Sequence, residues 1–443
     1  MKYSEYAGIK WGELSQDEKD FLLNDAVCRG GMTLSPLTDG EGMVQFAETL
    51  ATYGIVQNGV ISIEEESELY NPCIGENGNP LSEEELDELF EEYECGLPSE
   101  EEYNDFEYLM KSRPHVVLLG AGASVATILK GDKNGKKISA MKGFIDTLGM
   151  QDIISGINLS TDSDNLEDIY MEMYERDDCK EQRELLEVAI EKYFSEFELP
   201  DEPTVYDFLI LSLTRKDLIA TFNWDPLLLQ AYKRCMKITD NLPQLVFLHG
   251  NVEIAICEMD FVVGYRGQLC PRCKKELSKV PLLYPIREKN YESIPYIKSS
   301  WTELIKYLKK AYRMTVFGYS APKSDNVAVE MLKMAWGLIE DRNLEEIEII
   351  DICPEEVVRK SWEEFIHTHH YNVYASFFDS ALGRFPRRTC ELLFDNTLGC
   401  RWIDGKGKGF KDGMSFVEIK NLLEPLLNDE NRNKGKVLID PYI

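Results

Sequence analysis

Five short runs rich in Val, Ile, Leu and Phe, with little polar alternation, constrain this chain most: His115–Leu119, Asp217–Phe222, Gln244–Leu248, Arg313–Phe317 and Glu346–Asp351. A strand with one wet face carries a polar residue at every second place, so these runs predict strands covered on both faces. Helical stretches separate them, among them 165–198 and 326–341. Buried strands alternating with helices predict an α/β domain with a doubly wound parallel sheet over 112–355. The chain has 443 residues, more than the roughly 250–300 that one core serves. Flanking regions are therefore expected at 1–111 and 356–443, the second carrying a Gly/Lys-rich stretch, DGKGKGFKDG. No internal repeat is visible.

The formal net charge of −31 is concentrated at the start: residues 1–110 hold 27 of the 79 Asp and Glu but four of the 48 Lys and Arg. That balance opposes nonspecific duplex binding, which needs clustered cations, and leaves nucleic acid at most an indirect partner. Helical patterns are expected over 14–28 (Ser15 as N-cap, Glu18 three residues on), over 41–56, and in the acidic stretch 82–108. The last has Leu86, Leu89, Phe90 and Tyr93 on one stripe. A solvated outer face is the commoner reading of such a helix; partner docking or regulation is the other. No apolar run approaches the roughly 18–20 residues of a membrane span, and the opening residues lack the apolar core of a secretory signal. The 11 cysteines are scattered. A cytoplasmic protein with metal-binding or plain buried thiols is the expectation.

Three strand ends carry candidate chemistry. The first runs into Gly120-Ala121-Gly122-Ala123-Ser124-Val125. Glycines there let backbone approach a pyrophosphate, with the next helix supplying amides; a tight turn with no ligand reads equally well. Val125 stands where the dinucleotide fingerprint has its third glycine. The second end is Thr221-Phe222-Asn223-Trp224-Asp225. Asn223 and Asp225 share a face if the chain is extended, while Asp225 before Pro226 also reads as a helix cap. The third is His249-Gly250; a histidine just after a buried strand is placed for a general base, although a lone histidine is more often structural.

In their order, these three elements resemble the sirtuin family and its bacterial sirtuin-like relatives, whose motifs are GAGxS, TxNxD and HG after successive strands. Gly318-Tyr319-Ser320-Ala321-Pro322 with Asp325 looks like the GYS…D element of the sirtuin-like proteins. Asp351, after the last strand, stands where the family contacts the adenosine half. Tyr284-Pro285-Ile286-Arg287 and Lys289 also match, and the resemblance puts that loop beside the nicotinamide end. The resemblance covers about 240 residues, 113–353.

Sirtuins carry a zinc module of two CxxC pairs after HG. Here the spacing is Cys257, Cys270 and Cys273, with Asp260 where another cysteine is expected. Zinc accepts carboxylate beside thiolate, so Cys257, Asp260, Cys270 and Cys273 form a candidate structural site; a metal-free loop is the alternative. Arg384, Arg387, Arg388 and Arg401, with Phe385 and Trp402, read as a nucleic-acid patch or, more commonly for such a cluster, as a solvated face or the counter-surface of the acidic region.

The resemblance implies an NAD⁺-consuming enzyme that cleaves the nicotinamide–ribose bond to give nicotinamide and ADP-ribose. Asn223, Asp225 and His249 would be catalytic. Gly120, Ala121, Gly122, Ala123, Ser124, Thr221, Gly318, Ser320, Asp325 and Asp351 would bind NAD⁺. The altered cysteine module, acidic region and separate tail look like effectors of bacterial anti-phage defence, some of which act as homo-oligomers or beside a HerA-type ATPase. An NAD-dependent protein deacylase and a non-catalytic NAD⁺ or ADP-ribose sensor are the alternatives.

Overall fold

The computed structural model describes residues 56–57, 60–61, 100–139, 141–260, 262–286, 291, 293–321, 325–338, 342, 344–365, 370–399 and 408–432. The chain forms two compact units, Met1–Glu100 and Glu101–Ile443. In the first, strand β1 (Val56–Gln57) pairs antiparallel with β2 (Val60–Ile61). The helix expected over 14–28 lies outside the described residues; of the acidic stretch 82–108 only 100–108 are described, and they are part of helix α1 (Glu100–Ser112). Of the expected helix 41–56 only Val56 is described, and it is strand.

The second unit is built on a six-stranded parallel sheet. Its strands in chain order are β3 (His115–Leu119), β4 (Leu218–Thr221), β5 (Gln244–Phe247), β9 (Arg313–Phe317), β10 (Glu346–Ile350) and β11 (Tyr371–Tyr374). The five expected strands all form. The sixth, from YNVY, has no continuous apolar run, and its residues are partly covered or exposed at the sheet edge. The spatial order is β11-β10-β9-β3-β4-β5. The chain thus steps from β3 outward to β5, then returns to β9 on the other side of β3 and steps out to β11. That is a doubly wound sheet whose order reverses between β3 and β9, the place where such folds open a crevice beyond the strand carboxyl ends.

Every residue of β3 is buried, so both faces of the sheet are covered. Burying each Val or Leu of that run stabilises by about 1.5–3 kcal/mol. Helices α2 (Ala121–Thr127), α7 (Val205–Leu211) and α8 (Leu227–Cys235) pack together, and α9 (Pro295–Leu308) packs on β4 and β5. The helix expected over 165–198 is two, Leu166–Tyr174 and Lys180–Ser195, separated by Glu175–Cys179. The one expected over 326–341 stops at Trp336, where Gly337 takes φ of 93°.

Between β5 and α9 lies a small antiparallel sheet, with β6 (Ile254–Cys257) central between β7 (Val262–Tyr265) and β8 (Ser278–Lys279). Beyond β11, helix α13 (Thr389–Thr397) closes the amino ends of the strands, and α14 (Phe416–Arg432) packs Ile419, Leu423 and Leu426 into the core. No helix among the described residues is long and apolar enough to cross a membrane.

Candidate active site

The turn after β3 is built by close backbone approach. Gly120 N–H donates to Phe317 O at 3.0 Å and Gly122 N–H to Gly318 O at 2.9 Å. A Cβ on Gly318 would stand 2.4 Å from the Ala123 nitrogen, and Gly318 has φ of 61°. These glycines therefore lock the carboxyl ends of β3 and β9 together at the point where the strand order reverses. The amides of Gly120, Gly122 and Ala123 are all engaged by backbone carbonyls, while Ala121 and Gly122 remain exposed.

One turn into α2, Ser124 reaches the end of β4. Its hydroxyl donates to Asp225 Oδ2 at 2.6 Å and lies 2.8 Å from the Tyr206 hydroxyl. Asn223 Nδ2 donates to Gly120 O at 2.8 Å, to Ser124 Oγ at 2.9 Å and to Tyr206 Oη at 3.2 Å. Asp225 Oδ1 accepts from Leu227 N–H at 3.1 Å, so the carboxylate both starts α8 and joins this cluster. Burial pushes the Asp225 carboxyl above the usual aspartate range, against the lowering effect of its Ser124 and Leu227 donors. Thr221 turns inward instead, accepting from Asn223 N–H at 3.0 Å. Asn251, from the loop after β5, donates to Asp225 O at 2.6 Å.

His249 leaves β5 one strand further on. Its ring packs edge-on against Phe222 and stacks with Tyr291. Nε2 lies 3.4 Å from the Tyr291 hydroxyl and 4.0 Å from Asp325 Oδ1. Asp325 accepts from the Tyr319 hydroxyl at 3.0 Å, and the Tyr319 ring stacks on Phe222 at 4.2 Å. The chain returning from the small sheet braces this end, with Leu283 N–H donating to His249 O at 2.9 Å.

The remaining residues spread along the same edge. Ser320 is exposed after β9. Asp351, half-buried after β10, accepts from Cys353 N–H at 2.8 Å. Tyr284 stacks on Tyr170 and packs against Trp224; Arg287 and Lys289 lie outside the described residues. Tyr206, Asn251 and Tyr291 were not singled out from the sequence. They come from a helix and two loops, and no local pattern distinguishes them from packing residues.

The cysteine module brings its four donors together. The ligand atoms of Cys257, Asp260, Cys270 and Cys273 all lie within 4.8 Å of one another. Cys257 and Cys273 Sγ are 3.6 Å apart, and Asp260 Oδ2 is 3.4 Å from Cys257 Sγ and 3.1 Å from Cys270 Sγ. Tetrahedral zinc with thiolates at about 2.3 Å spaces its sulfurs about 3.8 Å apart, so this set fits that ion. Bound there, zinc would tie the β6–β7 turn to the Cys270–Cys273 knuckle.

Within the arginine cluster, Arg387 and Arg388 do not form an exposed patch. Arg387 and Arg388 are buried and pair with Glu430 at 2.6 and 3.2 Å. Arg387 also donates to Leu213 O and Asn241 O. Their counter-charge is Glu430 on α14. Arg401 and Trp402 lie outside the described residues.

No family model matches the chain, and no curated protein matches it. Solved structures do. A mutant Sir2 homologue in complex with ADP-ribose is 13% identical, over 68% of this chain and 99% of its own, at a TM-score of 0.32. Another mutant homologue with ADP-ribose is 12% identical over the same shares, at 0.33. Sir2 bound to acetylated peptide is 16% identical, over 59% of this chain and 95% of its own, at 0.27. Likeness this distant leaves the functional reading to the chain's own residues.

Proposed function

We propose that this chain cleaves the nicotinamide–ribose bond of NAD⁺, releasing nicotinamide and ADP-ribose. The observation that carries this reading is the interlocked Ser124–Asn223–Asp225 cluster at the reversal of strand order, with His249 on the adjoining strand end. Ser124, Asn223 and Asp225 are joined by contacts of 2.6–2.9 Å. Three polar side chains converging there, in the motif order of the sirtuin-like proteins, exceed what a packed turn requires.

Scission of the glycosidic bond places positive charge on the ribose, and water then attacks the anomeric carbon. Asn223 would hold a ribose hydroxyl or the water. Asp225, locked to Ser124, would keep Asn223 in place. His249 would take the proton of the water or of a ribose hydroxyl, and a positioned base of this kind contributes about 10²–10⁴ in rate. Ala121, Gly122, Gly318, Ser320, Asp325 and Asp351 lie along the strand ends as the NAD⁺-binding edge. Region 1–111 would regulate or assemble the enzyme, as a homo-oligomer or with a HerA-type ATPase in anti-phage defence, because its charge is out of proportion to the rest. Its removal should then change activity, oligomeric state or partner binding.

Purified protein incubated with NAD⁺, with and without an acetyl-lysine peptide, tests the reading. Nicotinamide release without peptide, lowered about 10²–10⁴-fold by His249→Ala with little change in melting temperature, is expected. Release only with peptide would move the chain to the deacylases. NAD⁺ binding without release would make it a sensor.

A further inference from the structure

Asn223 is half-buried, and its carboxamide has two chemically different ends. A carbonyl oxygen only accepts, so the atom 2.8 Å from Gly120 O must be the amide nitrogen. That contact alone settles which way the amide points. The nitrogen has two further partners, Ser124 Oγ and Tyr206 Oη. Ser124 spends its proton on Asp225, so the short Ser124–Tyr206 contact needs the tyrosine as donor. The chain of donors then runs Tyr206 to Ser124 to Asp225, and the oxygens of Tyr206 and Ser124 are both left to accept from Asn223. Oδ1 of Asn223 is turned away from all of these groups.

Tyr206 arrives by a separate piece of sequence logic. Thr204 and Asp207 form a capping box at the start of α7: the Asp207 carboxylate accepts from Thr204 N–H at 2.7 Å and is held by Arg234 Nε at 3.0 Å. Tyr206 lies inside that first turn and is fully buried, a position from which its hydroxyl reaches across to β4.

We infer that Tyr206 is a positioning residue whose hydroxyl fixes the Asn223 amide with its oxygen presented as the acceptor for a ribose hydroxyl or the attacking water. The inference rests on the proposed NAD⁺ cleavage for its consequence but not for its geometry. Without the Tyr206 hydroxyl the nitrogen keeps Gly120 O and Ser124 Oγ, so the amide stays but loosens. Ground-state binding through the rest of the edge is untouched.

The test is Tyr206→Phe in the full chain. Expected are an NAD⁺ dissociation constant near wild type by calorimetry, an unchanged melting curve, and a kcat for nicotinamide release down about tenfold, equivalent to about 1.4 kcal/mol. A kcat equal to wild type would overturn the inference, as would a loss accounted for by unfolded protein. A readout independent of activity is hydrogen exchange of the Asn223 side-chain amide by NMR. It should be slow in wild type and roughly tenfold faster in Tyr206→Phe. Rapid exchange in wild type, or none of the acceleration, refutes the positioning role. Wild type that releases no nicotinamide but shows the exchange difference would sink the NAD⁺ cleavage and leave the positioning intact.

Discussion

The two ends of the parallel sheet carry similar side chains in opposite states. At the amino end, His115 is fully buried, with Nδ1 2.8 Å from Thr389 Oγ1 and Nε2 2.7 Å from Thr315 Oγ1. Burial pushes its imidazole well below the usual histidine range, with Arg313 and Lys216 adding to the effect. A neutral ring between two hydroxyls, each able to donate or accept, is fully satisfied. Arg313 beside it pairs with Glu346 and Glu348, and α13 covers the whole cluster. At the carboxyl end, His249 and Asn223 meet groups from a helix and loops, and Asn223 remains half-buried. Burial and polarity alone do not make a site; what differs is that His115, Arg313 and Glu348 are all buried, whereas Asn223 is half-buried and Ala121 and Gly122 beside it are exposed.

Breaking the amino end should cost folding and leave chemistry alone. Glu348→Ala leaves the Arg313 guanidinium buried with a single carboxylate partner, and removing one member of a buried pair costs about 3–5 kcal/mol. Urea unfolding should show that loss, while nicotinamide release per folded molecule stays at the wild-type value. An unchanged midpoint would contradict the structural role assigned to this end.

A middle-sized effect is expected from the metal module, which braces His249 through the returning chain. One zinc per chain should be measured by atomic absorption. Chelation should lower the melting temperature by several degrees, because a ligand bound at about 100 times its Kd contributes about 2.7 kcal/mol. Cys270→Ser should abolish metal retention. Full retention in that variant would refute the four-donor site.

The smallest effect is a pH signature at the carboxyl end. Because burial raises the Asp225 carboxyl, its protonation on the acid side should remove the anion that accepts from Ser124. Activity should then fall with decreasing pH, with a midpoint above the ordinary aspartate value of about 3.9. Stability runs the other way. The folded state holds the extra proton, so this group's contribution is full below the unfolded-state pKa and is lost as pH rises through the folded-state value. Asp225→Asn should remove both trends; an acid limb that survives in the variant belongs to another group.

The local signals in the chain were strong where period and end-signal coincide. The five apolar runs are the four inner strands and β5, the edge strand opposite β11. Gly120–Ser124, Asn223–Asp225 and His249 follow those strands, so their placement at one edge comes directly from parallel strand geometry. The sixth strand was not legible because YNVY has polar residues interrupting it and lacks a continuous apolar run. The break at Glu175–Cys179 was not legible because the helical period continues through it.

What the sequence by itself determined is the set of strands and which polar residues end them, since periodicity is a property of neighbours. What only the tertiary structure decided is which distant groups those residues meet. Asp225 accepts both from Leu227 N–H at the start of α8 and from the Ser124 hydroxyl, so one carboxylate ties two segments together. Arg387 and Arg388 became buried ties to Glu430 rather than a surface patch. Tyr206 reached Asn223 from a helix that precedes β4, and His115 was closed between two threonine hydroxyls while His249 was packed between Phe222 and Tyr291. Each outcome depends on packing between segments far apart along the chain, where no local pattern records the partner.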